Sequence, residues 1–251
     1  MTTVELRDGA VLAFNDVSGT PVVFLHGGAG TAALHWAETM RRMPARFDPV
    51  GVDLRGHGAS SGALDGGLDQ LGQDLLEVLD QPRFLSGAHV VGFSMGGCSA
   101  LRAAIQRPER FRSLTLVGTH ARLPEGVGAE SKRRFTAWAT ESAGQLRDHH
   151  DAGTDWQRFL GDLTALQNDV ADEELLRLRL PVLVVHGDRD EYVPVSCAVH
   201  LVTVIPEAEL AVLPAACHLA HRDHPELFDL ILHRFLDRVD RRFVSSKGDP
   251  Q

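Results

Sequence analysis

His89-Val90-Val91-Gly92-Phe93-Ser94-Met95-Gly96-Gly97 is the stretch on which the reading of this chain turns. Its first five residues form an apolar, β-rich run. A segment rich in small residues, Ser94–Gln106, follows with helical character and stops before Pro108. The pattern G-x-S-x-G therefore falls where a strand ends and a helix begins. A serine at the top of so sharp a turn is forced into an unfavourable backbone conformation. Gly92 and Gly96 lack the Cβ that would collide with the turn. The hydroxyl is left exposed above a helix N-terminus, which favours negative charge. Ser94 is the candidate nucleophile. The competing reading is a serine that caps a tight turn and has no reactivity.

Outward from this centre, short β-rich runs alternate with helical stretches. The runs are Val22–Leu25, Val50–Asp53, Ser113–Val117, Val182–His186 and Leu210–Leu213. Several are continuously apolar, as strands buried on both faces of a parallel sheet are. Thr31–Met43, Leu68–Leu79 and Pro225–Val239 carry apolar residues at helical steps. Thr3–Leu6 and Val11–Asn15 alternate around Asp8-Gly9, which predicts an opening hairpin. The expected fold class is α/β: a mostly parallel eight-stranded sheet with helices on both faces. Between Gly118 and Arg179 no strand pattern is visible. A structureless loop of that length does not suit a compact domain, so residues 119–178 are expected to form a small helical cap over the sheet edge. The expected organisation is core at 1–118, cap at 119–178, core again at 179–244 and a polar frayed tail at 245–251.

Composition limits the partners. The chain has 251 residues, with 25 Lys+Arg against 34 Asp+Glu and a formal net charge of −9. Hydrophobic residues at 43% and charged ones at 24% are ordinary globular values and exclude a disordered or collagen-like chain. The acidic balance argues against nucleic acid and against anionic lipid surfaces. The start, Met1–Gly9, has neither a positive region nor an apolar core of a signal peptide, and no apolar run could span a bilayer. The expected location is cytoplasmic. Three widely spaced cysteines, Cys98, Cys197 and Cys217, form neither a disulfide framework nor a zinc site and read as buried free thiols.

A second glycine-rich loop, His26-Gly27-Gly28-Ala29-Gly30, follows the run Val22–Leu25. Such a loop can turn backbone N–H groups toward an oxyanion, and acyl transfer needs two donors about 3 Å from the developing charge. The N–H groups of Gly28 and Met95 are the candidates. A plain strand-to-helix connection is the competing reading, and the pairing with Ser94 weighs against it.

These motifs together resemble the α/β-hydrolase family. His26-Gly27-Gly28 resembles its oxyanion loop, and Asp53-Leu54-Arg55-Gly56-His57-Gly58-Ala59-Ser60 its D-x-R-G-x-G-x-S turn. Gly92–Gly97 resembles its nucleophile elbow, and Gly187-Asp188-Arg189-Asp190-Glu191-Tyr192-Val193-Pro194 its acid loop. His218, followed by Asp223 and Pro225, resembles its terminal histidine segment. The resemblance covers nearly the whole chain except the cap. It implies the order Ser94, Asp190, His218 for a catalytic triad. Asp190 stands four residues before Pro194, where the family's acid lies; Asp188 is the rival and is expected to brace the loop. Among thirteen histidines, His218 is favoured by its loop position before the last helix. His221 and His224 are expected to face solvent, and His57 to brace its own turn.

The implied chemistry is nucleophilic hydrolysis of a small ester or lactone, with no metal or organic cofactor. Phe135, Trp138, Trp156 and Phe159, all in the cap, are candidate walls of the pocket. The resemblance points to small esterases, enol-lactonases and cofactor-free perhydrolases. Ala29, and an elbow without Trp, depart from proline iminopeptidases. Two other classes stay open: a C–C lyase or synthase that uses the triad as a base, and a ligand-binding receptor that turns over slowly. The expected partner is a small molecule, with no nucleic acid or membrane; the sequence does not fix an oligomeric state. His149-His150-Asp151 reads as a solvated polar turn rather than a metal site.

Overall fold

The computed structural model describes residues 2–8, 11–14, 19–150 and 155–247. In chain order the elements are β1 (Thr2–Glu5), β2 (Val11–Phe14), β3 (Thr20–Leu25), α1 (Ala32–Arg41), β4 (Phe47–Val52), α2 (Gly67–Leu79), β5 (Ala88–Phe93), α3 (Met95–Gln106) and β6 (Phe111–Val117). Then come α4 (Val127–Glu141), α5 (Ala143–Arg147), α6 (Trp156–Ala165), α7 (Asp172–Leu175), β7 (Val182–Gly187), α8 (Val195–Val204), β8 (Ala208–Leu213), α9 (Ala220–Asp223) and α10 (Pro225–Lys247).

The strands form one eight-stranded sheet in the order β1-β2-β4-β3-β5-β6-β7-β8. The six strands from β4 to β8 run parallel; β1 and β2 pair antiparallel to each other, and β2 antiparallel to β4. Alternate strand residues feed two apolar clusters, as the two-residue period of a strand requires. Val23, Leu25, Val90, Leu114 and Val184 pack with α2, α3 and α8 on one face. Val22, Phe24, Val91, Val117 and Val185 pack with Trp36 of α1 and Phe228, Leu232 and Phe235 of α10 on the other. Burial of each large apolar side chain contributes roughly 1.5–3 kcal/mol. β5 and β7 are buried along their whole length, and β8, at the sheet edge, is largely exposed.

Local signals set the ends of the elements. The Thr31 side chain caps α1 by accepting from Leu34 N–H. The Trp36 indole N–H donates to Leu25 O and ties α1 to β3. α2 buries Leu68, Leu71, Leu75 and Leu79 on one stripe. The turn after β4 is locked by a buried ion pair: Arg55 donates to both Asp74 oxygens, at 2.7 and 2.6 Å, and reaches Asp8 at 2.8 Å.

Several expectations need correcting. The described part of 119–178 carries the helices α4 to α7, but it does not lie at a sheet edge. It leaves β6, in the middle of the sheet, and covers the carboxyl ends of the strands, with Phe135 against Gly28. α8 had no helical expectation, because Val195–Val204 is apolar nearly all round and shows no stripe. Helix α10 runs on to Lys247, through the start of the expected tail, and residues 248–251 lie outside the described ones. Gly9, in the expected hairpin turn, also lies outside them. Among the described residues no helix is long and apolar enough to cross a membrane.

Candidate active site

The carboxyl ends of β3, β5, β6 and β7 bring the singled-out residues to one place. Ser94 follows β5 directly and has φ 50° and ψ −116°, a left-handed backbone that costs of order 1–3 kcal/mol for a residue with a side chain. The elbow is held from both sides: Ser94 N–H donates to Val117 O at 2.8 Å, and Ser94 O accepts from Cys98 N–H at 2.9 Å. A Cβ on Gly92 would lie 2.6 Å from Gly96 O, and one on Gly96 would lie 2.5 Å from His26 O. Crowding by backbone therefore requires both glycines.

His218 stands on the loop after β8. Its Nε2 lies 3.0 Å from Ser94 Oγ and its Nδ1 2.7 Å from Asp190 Oδ2. The partners fix the tautomer: Nδ1–H donates to the carboxylate, and Nε2 is free to accept the serine proton. The ring lies between Phe93 and Tyr192, with centroids 4.9 and 5.0 Å away. Asp190 has a fully buried side chain, and its Oδ1 accepts from the N–H groups of Tyr192 and Val193, each at 2.9 Å. Burial works to raise its pKa. The hydrogen bond and charge of His218, with the two amide donors, outweigh burial and hold the carboxyl below its ordinary value.

A second imidazole touches the same carboxylate. His186 Nε2 donates to Val193 O at 2.7 Å and lies 3.3 Å from Asp190 Oδ2. Burial lowers the pKa of His186, so this contact is a polar one made by a neutral ring rather than an ion pair.

The loop after β3 is clamped by two more histidines. His26 Nδ1–H donates to Gly27 O at 2.8 Å, and its Nε2 accepts from Leu54 N–H at 2.9 Å. His35 Nδ1 accepts from Gly27 N–H at 3.1 Å. Burial pushes His26 down to about 3, so it stays a neutral clamp. The N–H groups of Gly28 and Met95 have no acceptor among the described residues, and both residues line the cavity beside Ser94.

That cavity measures about 580 Å³. Of the four expected wall aromatics, Phe135 lines it. Trp138, Trp156 and Phe159 do not. Trp138 lies on the outer side of α4, 37% exposed. Trp156 and Phe159 are buried beneath α6, against His150 and each other, and Phe159 also meets His57. The walls come instead from Met95, Leu123, Leu163, Leu166, Tyr192 and Val193. His120 also lines the cavity and was not singled out in the sequence; burial pushes it down to about 4. Its position just past the end of a central strand was the available signal.

Among the other histidines and cysteines, His221, His150 and Cys217 depart from expectation, while His57, Cys98 and Cys197 meet it. His221 does not face solvent: it is 1% exposed and stacks on Trp36, with centroids 4.3 Å apart. His57 is buried and its Nδ1 bonds Arg55 O at 2.9 Å, inside its own turn. His150 is not part of a solvated turn; it packs among aromatic rings, and Asp151 lies outside the described residues. Among the described residues no group of three metal-ligating side chains is found. Cys98 and Cys197 are buried, but Cys217 is exposed. The buried thiol of Cys98, one turn after Ser94, is pushed up to about 12.

Comparison with known proteins agrees with this architecture. A family model described as the α/β-hydrolase fold matches residues 20–142. A pimeloyl-[acyl-carrier protein] methyl ester esterase of Nitrosomonas europaea is 30% identical over 247 residues, 84% of this chain and 93% of its own. An acetyltransferase component of the acetoin cleaving system of Pseudomonas putida is 31% identical over 87% of this chain; the chain spans 64% of that protein's length. The crystal structure of a hydrolase from Pseudomonas aeruginosa PA01 superposes with a TM-score of 0.78 at 26% identity, covering 94% of this chain and 97% of that one. The chain belongs to the α/β-hydrolase family, and it is an enzyme of that family.

Proposed function

We propose that the chain is a serine hydrolase that cleaves a small carboxylic ester or lactone through an acyl-enzyme. The observation that carries this reading is the unbroken hydrogen-bond chain Ser94–His218–Asp190 beside two amide groups that have no acceptor among the described residues.

As Ser94 Oγ bonds to the carbonyl carbon, its proton passes to His218 Nε2. Asp190 stabilises the resulting imidazolium without taking its proton. The carbonyl oxygen becomes an oxyanion between the N–H groups of Gly28 and Met95. The C–O bond to the leaving group then breaks, and His218 returns the proton to the departing alkoxide. Water enters, gives a proton to His218 and attacks the acyl carbon; the bond to Ser94 Oγ then breaks, His218 returns its proton to that oxygen, and the acid leaves. The esterase relative named above supports ester chemistry over C–C cleavage.

The test is turnover of p-nitrophenyl acetate and butyrate. Wild type should show a burst followed by steady turnover, and Ser94→Ala should lose at least about a thousandfold in kcat. Retained turnover in Ser94→Ala would refute covalent catalysis here. Labelling of Ser94 by a fluorophosphonate without ester turnover would point to a lyase or a receptor.

A further inference from the structure

The cavity over Ser94 extends beyond the reacting atoms to α4, where Lys132, an exposed side chain, stands at its mouth. Gly128, Ser131, Lys132 and Phe135 line it at three- and four-residue steps, so they share one face of that helix. Phe135 marks the end nearer the chemistry, because its ring lies 3.4 Å from where a Cβ on Gly28 would stand. Lys132 sits one turn, about 5 Å, further along the helix.

The charges around this face are unequal. Arg133 and Arg134 on the same helix both pair with Glu130. Arg122, which also lines the cavity, pairs with Asp169 at its rim. Lys132 has no ion-pair partner among the described residues. Apart from its imidazoles, the lining carries two cations against one carboxylate, in a chain whose net charge is −9. A cleft with low-dielectric walls focuses such a local charge and draws anions toward it.

We infer that the cavity takes an ester bearing a free carboxylate at its far end, the half-ester of a short dicarboxylic acid, with its carbonyl at Ser94 and its carboxylate on the Lys132 ammonium. This rests on the hydrolase reading of Ser94. A neutral ester of equal length meets the same apolar walls at Met95, Phe135 and Leu163 but leaves the ammonium hydrated. The half-ester gains a charge-assisted hydrogen bond there.

The experiment compares the mono-p-nitrophenyl ester of adipic acid with p-nitrophenyl hexanoate, which has the same chain length. Wild type should favour the adipate ester by about threefold in kcat/KM at low salt. The ratio should fall toward one in Lys132→Met, persist in Lys132→Arg, and shrink as salt rises. Calorimetry of adipate binding to Ser94→Ala reads the anion site without catalysis. The affinity should fall about threefold when Lys132→Met is added. Hydrolysis of both esters with equal kcat/KM, or a preference that survives Lys132→Met, would overturn the anion site and leave the hydrolase reading standing. Adipate binding that depends on Lys132, with no hydrolysis of either ester, would do the reverse.

Discussion

At Ser94 the backbone does work that the side chain cannot do alone. The left-handed φ of 50° is held by bonds to strand β6 and helix α3, and the hydroxyl lies 3.0 Å from His218. The acid is positioned as tightly. Asp190 meets two amide donors, the His218 ring and the His186 ring, so each oxygen has two neighbours. Removing one should loosen the loop rather than abolish chemistry. His186→Leu is expected to lower kcat/KM for p-nitrophenyl butyrate by about tenfold, and His186→Gln, which keeps a donor, by less. An unchanged pH profile and rate in His186→Leu would contradict this positioning role. The sequence pointed to Ser94, Asp190 and His218 because chain order and local motif suffice for residues fixed by their own turns. It did not point to His186, or to the stacking of His221 on Trp36, because those contacts join residues distant in the chain or hidden in a strand.

Among the elements, the turn after β4 and helix α2 behave as one piece through Arg55 and Asp74. The pair is buried, with side chains 5% and 0% exposed, so breaking it leaves the buried guanidinium to the half-exposed Asp8 alone. Asp74→Ala should cost about 3–5 kcal/mol in urea unfolding, and a loss below about 1 kcal/mol would show that the pair holds nothing together. The strands and most helices were legible because their apolar periods are set by burial on one or two faces. The cap was legible only as a helical interval. Which of its aromatics meets the cavity depends on how α4 and α6 rotate against the core. Trp156 and Phe159 face inward with Leu163 in the continuous apolar cluster, and Phe135 alone of the four looks onto Gly28. No local pattern in the sequence carries that rotation.

Across the whole molecule, the buried imidazoles set the response to acid. His26 and His221 are pushed down to about 3, and His35 and His57 well below their ordinary value, chiefly by burial. In the unfolded chain these groups titrate near 6.5, so below that pH the unfolded state binds more protons than the folded one. Their contribution to stability is complete above about pH 6.5 and is lost as the pH falls toward 3. Each can remove up to about 1.4 kcal/mol per pH unit in that interval. Urea midpoints should therefore drop steeply from pH 7 to pH 5, and a flat profile would contradict neutral burial. The proposed reaction turns on one covalent bond, between Ser94 Oγ and the acyl carbon. Rapid-quench mass spectrometry during turnover of p-nitrophenyl acetate tests it most directly. One added acetyl group is expected, mapped to the peptide that carries Ser94 and lost in Ser94→Ala. Steady ester cleavage with no acetylated peptide, or with acetyl on another residue, would contradict it.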